Sequence, residues 1–217
     1  MEGLIRWVAS ALNSYGRIPR IHDRRMGCDR PKSPPLSGRL RLDSQVAYMP
    51  RDLYIQIERS VPITCVDFVP VRRDEHGCEV GLILRDSPFG QVWCHLGGRV
   101  QRGETLADAI RRHTRETLGV EVDLGPDPQP VWVYQWFPDE FRPQTGLVAG
   151  HDPRKHAIAL SFVVDLTGKR PEPRDEALDF AYYSTENLPD PLWPGCEHLI
   201  RRLVAHDRNE AISSIIG

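Results

Sequence analysis

A glycine-rich turn runs directly into an amphipathic helix in the middle of this 217-residue chain, and any fold must accommodate that junction. The run GGRVQRGETLADAIRRHTRETLGVEV extends from Gly97 to Val122 and follows the apolar stretch QVWCHL. Two glycines let the backbone approach a ligand closely, although such pairs are more often ordinary turns. The strand is expected to end at this pair. Apolar residues then recur at helical spacing, at Leu106, Ala109, Ile110 and Leu118. The spacing predicts a helix over 106–118 with one face toward the core.

The polar face of this helix carries several functional side chains. Neighbouring members of this group lie one, three or four positions apart, so parts of their side chains can surround one point. The group consists of Arg112, His113, Glu116 and Thr117. A groove lined by these residues is one interpretation, and a solvated face with ordinary ion pairs is the other. Glu116 is the one carboxylate among the four, which is few for metal chemistry.

The remaining periodicity predicts an α+β protein. DLYIQIERSV is predicted to be a short helix with Asp52 as its cap, and a last helix is predicted around 196–205. Alternating or β-branched runs predict strands over 63–71, 80–85, 91–96, 131–137, 156–166 and 180–184. Helices and strands follow one another without regular βαβ repetition, which favours an α+β sandwich.

Charge divides the chain into two parts. Residues 1–47 contain nine Lys or Arg and four acids, so this segment is about +5 and the remainder about −7. The segment lacks sustained periodicity, and we expect 1–47 to be a disordered basic arm. A short amphipathic helix at its start, a translation start at Met49 and a transit peptide are alternatives. The net charge of −2 gives no global basic field for nucleic acid or an anionic membrane.

Cysteine usage and hydropathy predict a cytoplasmic protein. The five cysteines are odd in number, include no CxxC pair and fit neither a disulfide framework nor a zinc ribbon. A reducing compartment is the simplest environment for them. No apolar run approaches the roughly 18 to 20 residues of a membrane-spanning helix, and the N-terminus lacks a signal-peptide pattern.

The junction at Gly97 belongs to a longer spaced motif. The motif begins at Gly98, and five residues separate it from Glu104. Seven further residues precede Arg112, three precede Glu116, and two precede the pair Gly119-Val120. This frame resembles the Nudix box, in which glycine, five residues, glutamate and seven residues precede Arg-Glu-aliphatic-any-Glu-Glu-any-Gly-aliphatic. Here His113 and Thr117 replace the first and last glutamates of the helix. The resemblance implies a Nudix-type α/β/α sandwich with a mixed sheet.

Within that family, the chain resembles the GDP-mannose mannosyl hydrolase branch from about residue 50 to 188. The resemblance implies a Nudix-like domain over 48–208, followed by a C-terminal tail over 209–217. It places Asp67 at an active-site position, and Arg85 and Arg99 near the diphosphate. Guanidinium groups pair well with phosphate because they can donate two parallel hydrogen bonds.

The resemblance also implies a divalent cation, Mg²⁺ or Mn²⁺, held against the diphosphate. Its ligands would be the Gly97 carbonyl, Glu116 and Glu176, while Glu104 would pair with Arg112 to fix the helix. Thr117 stands where the branch has its metal-ligand glutamate, and one helical step is about 100°, so Glu116 does not simply replace it. With few carboxylates, metal binding is expected to be weak and to depend on substrate phosphate.

The catalytic base is open at this point. The branch uses a late Gln-His pair, whereas the matching positions here are Glu176 and Ala177. Glu176 would act as metal ligand or base, or is an exposed structural acid. His113 is the other candidate base, or is a packed or solvated side chain.

The loop DEFRPQTGLVAGHDPRKHAI supplies further candidates for substrate binding. Arg154 and Lys155 are predicted to bind a phosphate or glycosyl group, and Gln135 to hydrogen-bond a base or sugar. The neighbouring Trp136 would stack on that group, or would simply pack in the core.

These assignments predict a divalent-metal-dependent hydrolase of a nucleoside diphosphate derivative, with a nucleotide sugar as one candidate. Arg112, His113, Glu116 and Glu176 form the predicted catalytic group. Attack at phosphorus and at the anomeric carbon both remain open. The alternative is a Nudix-fold module that binds or senses nucleotides with little or no catalysis. The expected partner is a small molecule, with neither nucleic acid nor membrane, and the sequence is compatible with a homodimer.

Overall fold

The computed structural model describes residues 49–74, 77–144 and 146–216. The expectations for residues 1–47 fall outside these ranges. Within them, three α-helices are present: α1 (Arg51–Ser60), α2 (Leu106–Leu118) and α3 (Cys196–Ile216). A short 3₁₀ turn covers Asp139–Phe141. None of the helices in these ranges is long and apolar enough to cross a membrane.

Nine strands form one mixed sheet in the described part of the chain. They are β1 (Ile63–Asp74), β2 (Gly77–Ser87), β3 (Gly90–Cys94), β4 (Leu96–Arg99), β5 (Glu121–Asp123), β6 (Trp132–Phe137), β7 (Gly150–His151), β8 (Ala157–Thr167) and β9 (Asp179–Ser184). The main path is β3-β2-β1-β8-β6-β7; in addition β4 pairs with β1, β5 with β8 and β9 with β2. The predicted α+β class with a mixed sheet is confirmed.

Strand β1 lies at the centre of the sheet and organises it. It runs parallel to β8, from Ile63 opposite Ala157 to Pro70 opposite Val164. It is antiparallel to β4 along its first half and to β2 at its end. Because it has partners on both edges, the residues from Cys65 to Val71 are all buried.

The two longer helices cover the sheet with their apolar faces. Helix α2 packs on β1, β4 and β5, and α3 packs on β6 and β8. Side chains that are fully buried between these layers include Val66, Phe68, Leu82, Leu96, Ile110, Leu118, Leu199 and Leu203. Burial of this apolar surface drives folding and fixes the position of α2 against β4.

The sequence predicted the limits of α2 correctly because both ends carry local signals. The Thr105 hydroxyl accepts a hydrogen bond from the Asp108 N–H at 3.1 Å, and Gly119 ends the helix in the left-handed region at φ 64°. The prediction that Asp52 caps α1 is wrong. That helix follows Pro50, has no side-chain cap hydrogen bond, and contains Asp52 in its first turn.

Two further predictions about element limits need correction. The glycine pair does not end a strand, since Gly97 and Gly98 lie inside β4, opposite Asp67 and Val66 of β1. Helix α3 continues to Ile216, well beyond its predicted end near Ala205. The domain limits at 48 and 208 stay predictions.

We expect Thr105→Ala to lower the free energy of unfolding by about 1 kcal/mol, because the first turn of α2 loses its side-chain acceptor. Urea unfolding at neutral pH measures the change. Thr105→Ser is the matched control, since serine retains the hydroxyl and should cost far less. Equal losses in both variants would contradict the capping role.

Candidate active site

Arg112 joins the turn after β4 to helix α2. Its guanidinium forms two hydrogen bonds with Glu104, at 2.5 and 2.9 Å, and donates to the Arg99 carbonyl at 3.0 Å. It also contacts Glu116 at 3.2 Å, one helical turn away. The hydrogen bond from Arg112 lowers the pKa of Glu104 despite partial burial. All these contacts position the loop and helix, whereas a catalytic role for Arg112 stays a prediction.

Glycine is required at two positions of β4, because Val66 approaches Gly97 closely and His113 approaches Gly98 closely. A Cβ atom at Gly97, where φ is 136°, would lie 2.1 Å from the Val66 carbonyl oxygen. A Cβ atom at Gly98 would lie 2.7 Å from the His113 ring. The glycine pair therefore lets β4 lie directly between β1 and the imidazole of α2.

His113 is largely enclosed by this packing. Its Nε2 lies 3.3 Å from the Arg99 carbonyl oxygen, a contact that is a hydrogen bond when Nε2 carries the proton. Burial and then the charge of Arg112 lower the pKa of His113, while the charges of Glu176 and Glu116 oppose this shift. The imidazole is therefore neutral at neutral pH, and it is close enough to both glutamates to feel their charges. Its role as a base stays a prediction.

Arg85 of β2 and Glu176 of the loop before β9 form an ion pair beside this helix. Arg85 Nη1 lies 2.7 Å from Glu176 Oε2, and the Glu176 side chain is 34% exposed. Arg85 Nε is buried without a hydrogen-bond partner among the described residues. The pair thus contains a partly exposed carboxylate and a buried guanidinium N–H that no described residue accepts.

Trp193 brings a second arginine to this place. The Arg85 and Arg154 guanidinium carbons lie 5.8 and 5.1 Å from the centroid of its ring. The indole N–H donates to the His151 carbonyl at 2.7 Å, and the residue is 5% exposed. Because its orientation is fixed, the ring can hold each of the two guanidinium groups near it through a cation–π contact.

Arg154 is fixed independently by Asp152. Its side chain donates two hydrogen bonds of 2.9 Å to the Asp152 carboxylate, and its backbone N–H donates another of 3.0 Å. The hydrogen bond that Arg154 donates to Asp152 is the main reason that the pKa of Arg154 is raised. The guanidinium therefore stays charged and in one orientation.

Helix α1 contacts the other two predicted cations. The Arg99 guanidinium lies 4.3 Å from the centroid of the Tyr54 ring, and Lys155 Nζ lies 4.0 Å from Glu58 Oε1. Gln135 instead lies next to His156, with 3.4 Å between its Oε1 and the ring Nε2. Tyr54, Glu58 and Trp193 were not identified from the sequence. A helix before the first strand and an aromatic residue in PLWPG carry no local signal for a site.

Asp67 lies in a buried polar network. Its Oδ2 accepts hydrogen bonds from the Trp136 indole at 2.8 Å and from His95 Nε2 at 3.1 Å. The other ring nitrogen of His95 lies 3.5 Å from Cys196 Sγ. Asp67 is only 4% exposed, and its described contacts are internal. The alternative that Trp136 packs in the core is confirmed, whereas substrate binding by Asp67 stays a prediction.

The carboxylates do not by themselves fit a metal ion held by the protein alone. The described residues contain no group of three or more His, Cys, Asp or Glu side chains arranged to hold one. Glu116 contacts Arg112, and Glu176 pairs with Arg85. The ligand roles of Gly97, Glu116 and Glu176 stay predictions.

The mixed sheet, the covering helices and the strand–turn–helix built around Glu104 and Arg112 are those of a Nudix hydrolase. Residues 45–207 match the family model DUF4916, a domain of unknown function. The chain belongs to this DUF4916 family of Nudix-fold proteins. Both the Nudix resemblance and the α/β/α sandwich are confirmed. Closeness to the mannosyl hydrolase branch stays a prediction.

Individual relatives agree with this assignment. The low-salt glycan biosynthesis protein Agl8 of Haloferax volcanii is 33% identical over 128 residues, which is 59% of this chain and 74% of that one. A Jonesia denitrificans structure, described as a possible asymmetric diadenosine tetraphosphate hydrolase, is 30% identical with a TM-score of 0.57. The match covers 68% of this chain and 95% of that one. A MutT NUDIX hydrolase of Burkholderia pseudomallei shares the fold at 18% identity, with a TM-score of 0.52 and coverage of 66% and 99%.

Proposed function

We propose that this chain hydrolyses a nucleoside diphosphate derivative, with a nucleotide sugar as the substrate class to test first. The observation that carries the proposal is the approach of Arg85 and Arg154 to the same Trp193 ring. Each guanidinium already has a carboxylate beside it, Glu176 for Arg85 and Asp152 for Arg154, which fixes its orientation. A diphosphate carries several oxygens that accept paired N–H donors, so it can bind two such groups together.

Each cation has its own part in the proposed binding mode. Arg154 is fixed by Asp152 and acts as a rigid donor, while Arg85 has a buried Nε that can donate to a phosphate oxygen. Lys155 and Arg99 add positive charge on the side of α1. Together these groups neutralise the diphosphate and orient it for attack.

Glu176 is the group that we assign to proton transfer. Its carboxylate is bonded to Arg85 and is partly exposed. When phosphate oxygens bind Arg85, they compete for the guanidinium and release the carboxylate to accept a proton from water. His113 is neutral and lies within the electrostatic reach of Glu176, so its second ring nitrogen is the alternative acceptor.

The proposal includes Mg²⁺ or Mn²⁺ that would arrive with the substrate, because the described carboxylates do not form a site for it alone. Such an ion supplies additional neutralisation of the phosphate oxygens. Glu116 is the carboxylate of α2 that would contact it; the side chain is 52% exposed and contacts Arg112.

The relatives support the substrate class to different degrees. The Haloferax relative is named for glycan biosynthesis, which is consistent with a nucleotide sugar. The Jonesia protein is described as a possible hydrolase of diadenosine tetraphosphate, a compound that also contains linked phosphates. The second candidate function, nucleotide binding without turnover, is favoured by the replacement of box glutamates by His113 and Thr117.

The first test is a screen of nucleoside diphosphates, triphosphates and nucleotide sugars with Mg²⁺ or Mn²⁺. We expect turnover of at least one compound, and we expect Glu116→Gln to lower kcat/KM about tenfold, as loss of one charged contact worth about 1.4 kcal/mol would. Glu121→Gln is the matched control because Glu121 pairs with Arg115 at the surface. Phosphate and sugar analysis of the products identifies the bond that is cleaved.

The same screen separates the two candidate functions. Ligands that bind without turnover, with or without metal, would exclude the hydrolase and leave the binding module. Turnover that is unchanged by Glu116→Gln would exclude the predicted role of this glutamate.

A further inference from the structure

Helix α1 places a carboxylate among the cations of the proposed site. Tyr54 and Glu58 are four residues apart and therefore share one face of the helix. The Tyr54 hydroxyl is hydrogen-bonded to Glu58, and burial together with the Glu58 charge raises the pKa of Tyr54. The Glu58 side chain is 16% exposed, which is low for a glutamate.

Three of the four predicted substrate cations contact this face or feel its charge. Lys155 Nζ lies 4.0 Å from the Glu58 carboxylate, and Glu58 contributes to the raised pKa of Arg154. The Arg99 guanidinium lies over the Tyr54 ring. An acidic side chain of the protein thus occupies a place that the sequence predicts for an anion of the substrate.

The geometry of this pair indicates a replaceable contact. A close ammonium–carboxylate hydrogen bond is about 2.7–2.9 Å long, whereas Lys155 and Glu58 are separated by 4.0 Å. The Lys155 side chain is also only 16% exposed, so its charge has little access to water. A phosphate oxygen that reached Lys155 at hydrogen-bond distance would be a stronger partner than Glu58.

We propose that Glu58 occupies the position of a substrate phosphate oxygen at Lys155, and that the phosphate displaces it on binding. This inference rests on the proposed function, because it assumes that Lys155 and Arg154 bind the substrate. Glu58 then weakens binding by competing for the cation. It selects for ligands that carry enough negative charge to replace a carboxylate.

Calorimetric titration of the full chain with inorganic pyrophosphate tests the inference. Glu58→Gln retains the shape of the side chain and an acceptor for Tyr54 but removes the charge. We expect it to tighten pyrophosphate binding about fivefold, and we expect this gain to fall below about twofold when Lys155→Gln is also present. Asp52→Asn is the matched control, since it removes one negative charge from an exposed position of the same helix.

The titrations give separate answers on the inference and on the proposed function. Three results would overturn the displacement of Glu58: an equal gain in pyrophosphate affinity in Asp52→Asn, no gain in Glu58→Gln, or a gain that does not depend on Lys155. In each of these cases, pyrophosphate binding to the wild type would still support the proposed site. Absence of pyrophosphate binding to the wild type and to Glu58→Gln would overturn both.

Discussion

Asp67→Asn should lower the free energy of unfolding by about 3 to 5 kcal/mol at pH 7, because it removes the buried carboxylate that stabilises the protonated imidazole of His95 in the folded state. Asp67 is 4% exposed and binds His95 at 3.1 Å and the Trp136 indole at 2.8 Å. The amide retains an acceptor of similar size, so the loss is mainly one of charge. Urea unfolding followed by tryptophan fluorescence and circular dichroism measures it.

The same variant should change how stability depends on pH. Burial lowers the pKa of His95, but the charge and hydrogen bond of Asp67, with the Cys196 contact, raise it to about 10. The unfolded value is about 6.5. The folded state therefore binds the proton more tightly, so the stabilisation is complete below about pH 6.5 and is lost as pH rises toward 10.

The clearest window for this measurement is pH 7.5 to 8.5. Over that pH unit the free energy of unfolding of the wild type should fall by about 1.4 kcal/mol, since His95 releases one proton on unfolding. Unfolded thiols begin to titrate near pH 8.5, and burial raises the pKa of the thiol of Cys65 to about 12. Above that pH the titration of the thiols would lower the free energy of unfolding further as pH rises. Asp67→Asn should show a much flatter profile inside the window.

A double variant serves as the control for this prediction. Asp67→Asn with His95→Gln removes both groups, and its stability should depend on pH between 7.5 and 8.5 as weakly as that of Asp67→Asn alone, because neither folded variant holds a proton at position 95 in this window. If Asp67→Asn is as stable as the wild type and has the same pH profile, His95 is not a paired cation in the folded protein.

The fold was predictable where local signals decide the structure. Helix α2 was predicted over 106–118, the limits observed, because Thr105 and Gly119 mark its ends. Strands β5 and β7 were missed, since three or two residues form a strand only when β8 or β6 offers hydrogen bonds. The glycine pair was predicted to end a strand, because its pairing with β1 depends on residues far away in sequence.

The site was predictable to the extent that the box and the basic residues reveal it. The Glu104–Arg112 pair was implied by the resemblance to the Nudix box and is present. The meeting of Arg85 and Arg154 at Trp193 could not be predicted, because β2, the loop after β7 and the segment before α3 come together only through the sheet. A sequence pattern identifies which residues can bind phosphate, whereas the fold decides which of them share a ligand.

The largest effect on function is expected for Arg85→Lys. We expect kcat/KM to fall about 100-fold on the substrate that the screen identifies, which corresponds to about 2.7 kcal/mol of lost transition-state stabilisation. Lysine keeps the positive charge, but it lacks the Nε–H that is buried without a described partner and cannot donate two parallel hydrogen bonds. Its more flexible charge also leaves Glu176 less well oriented. If the chain binds without turnover, pyrophosphate affinity measures the same loss.

Arg115→Lys is the matched control for this substitution. Arg115 pairs with Glu121, both side chains are 58% exposed, and neither contacts the proposed site, so activity should stay unchanged. Thermal unfolding of both variants separates lost activity from lost folding. A folded Arg85→Lys protein with wild-type kcat/KM would show that positive charge alone is sufficient at this position, and that the paired donors of the guanidinium do not contribute. A selective loss in Arg85→Lys would instead tie function to a cation that contacts both Trp193 and the assigned proton acceptor, Glu176.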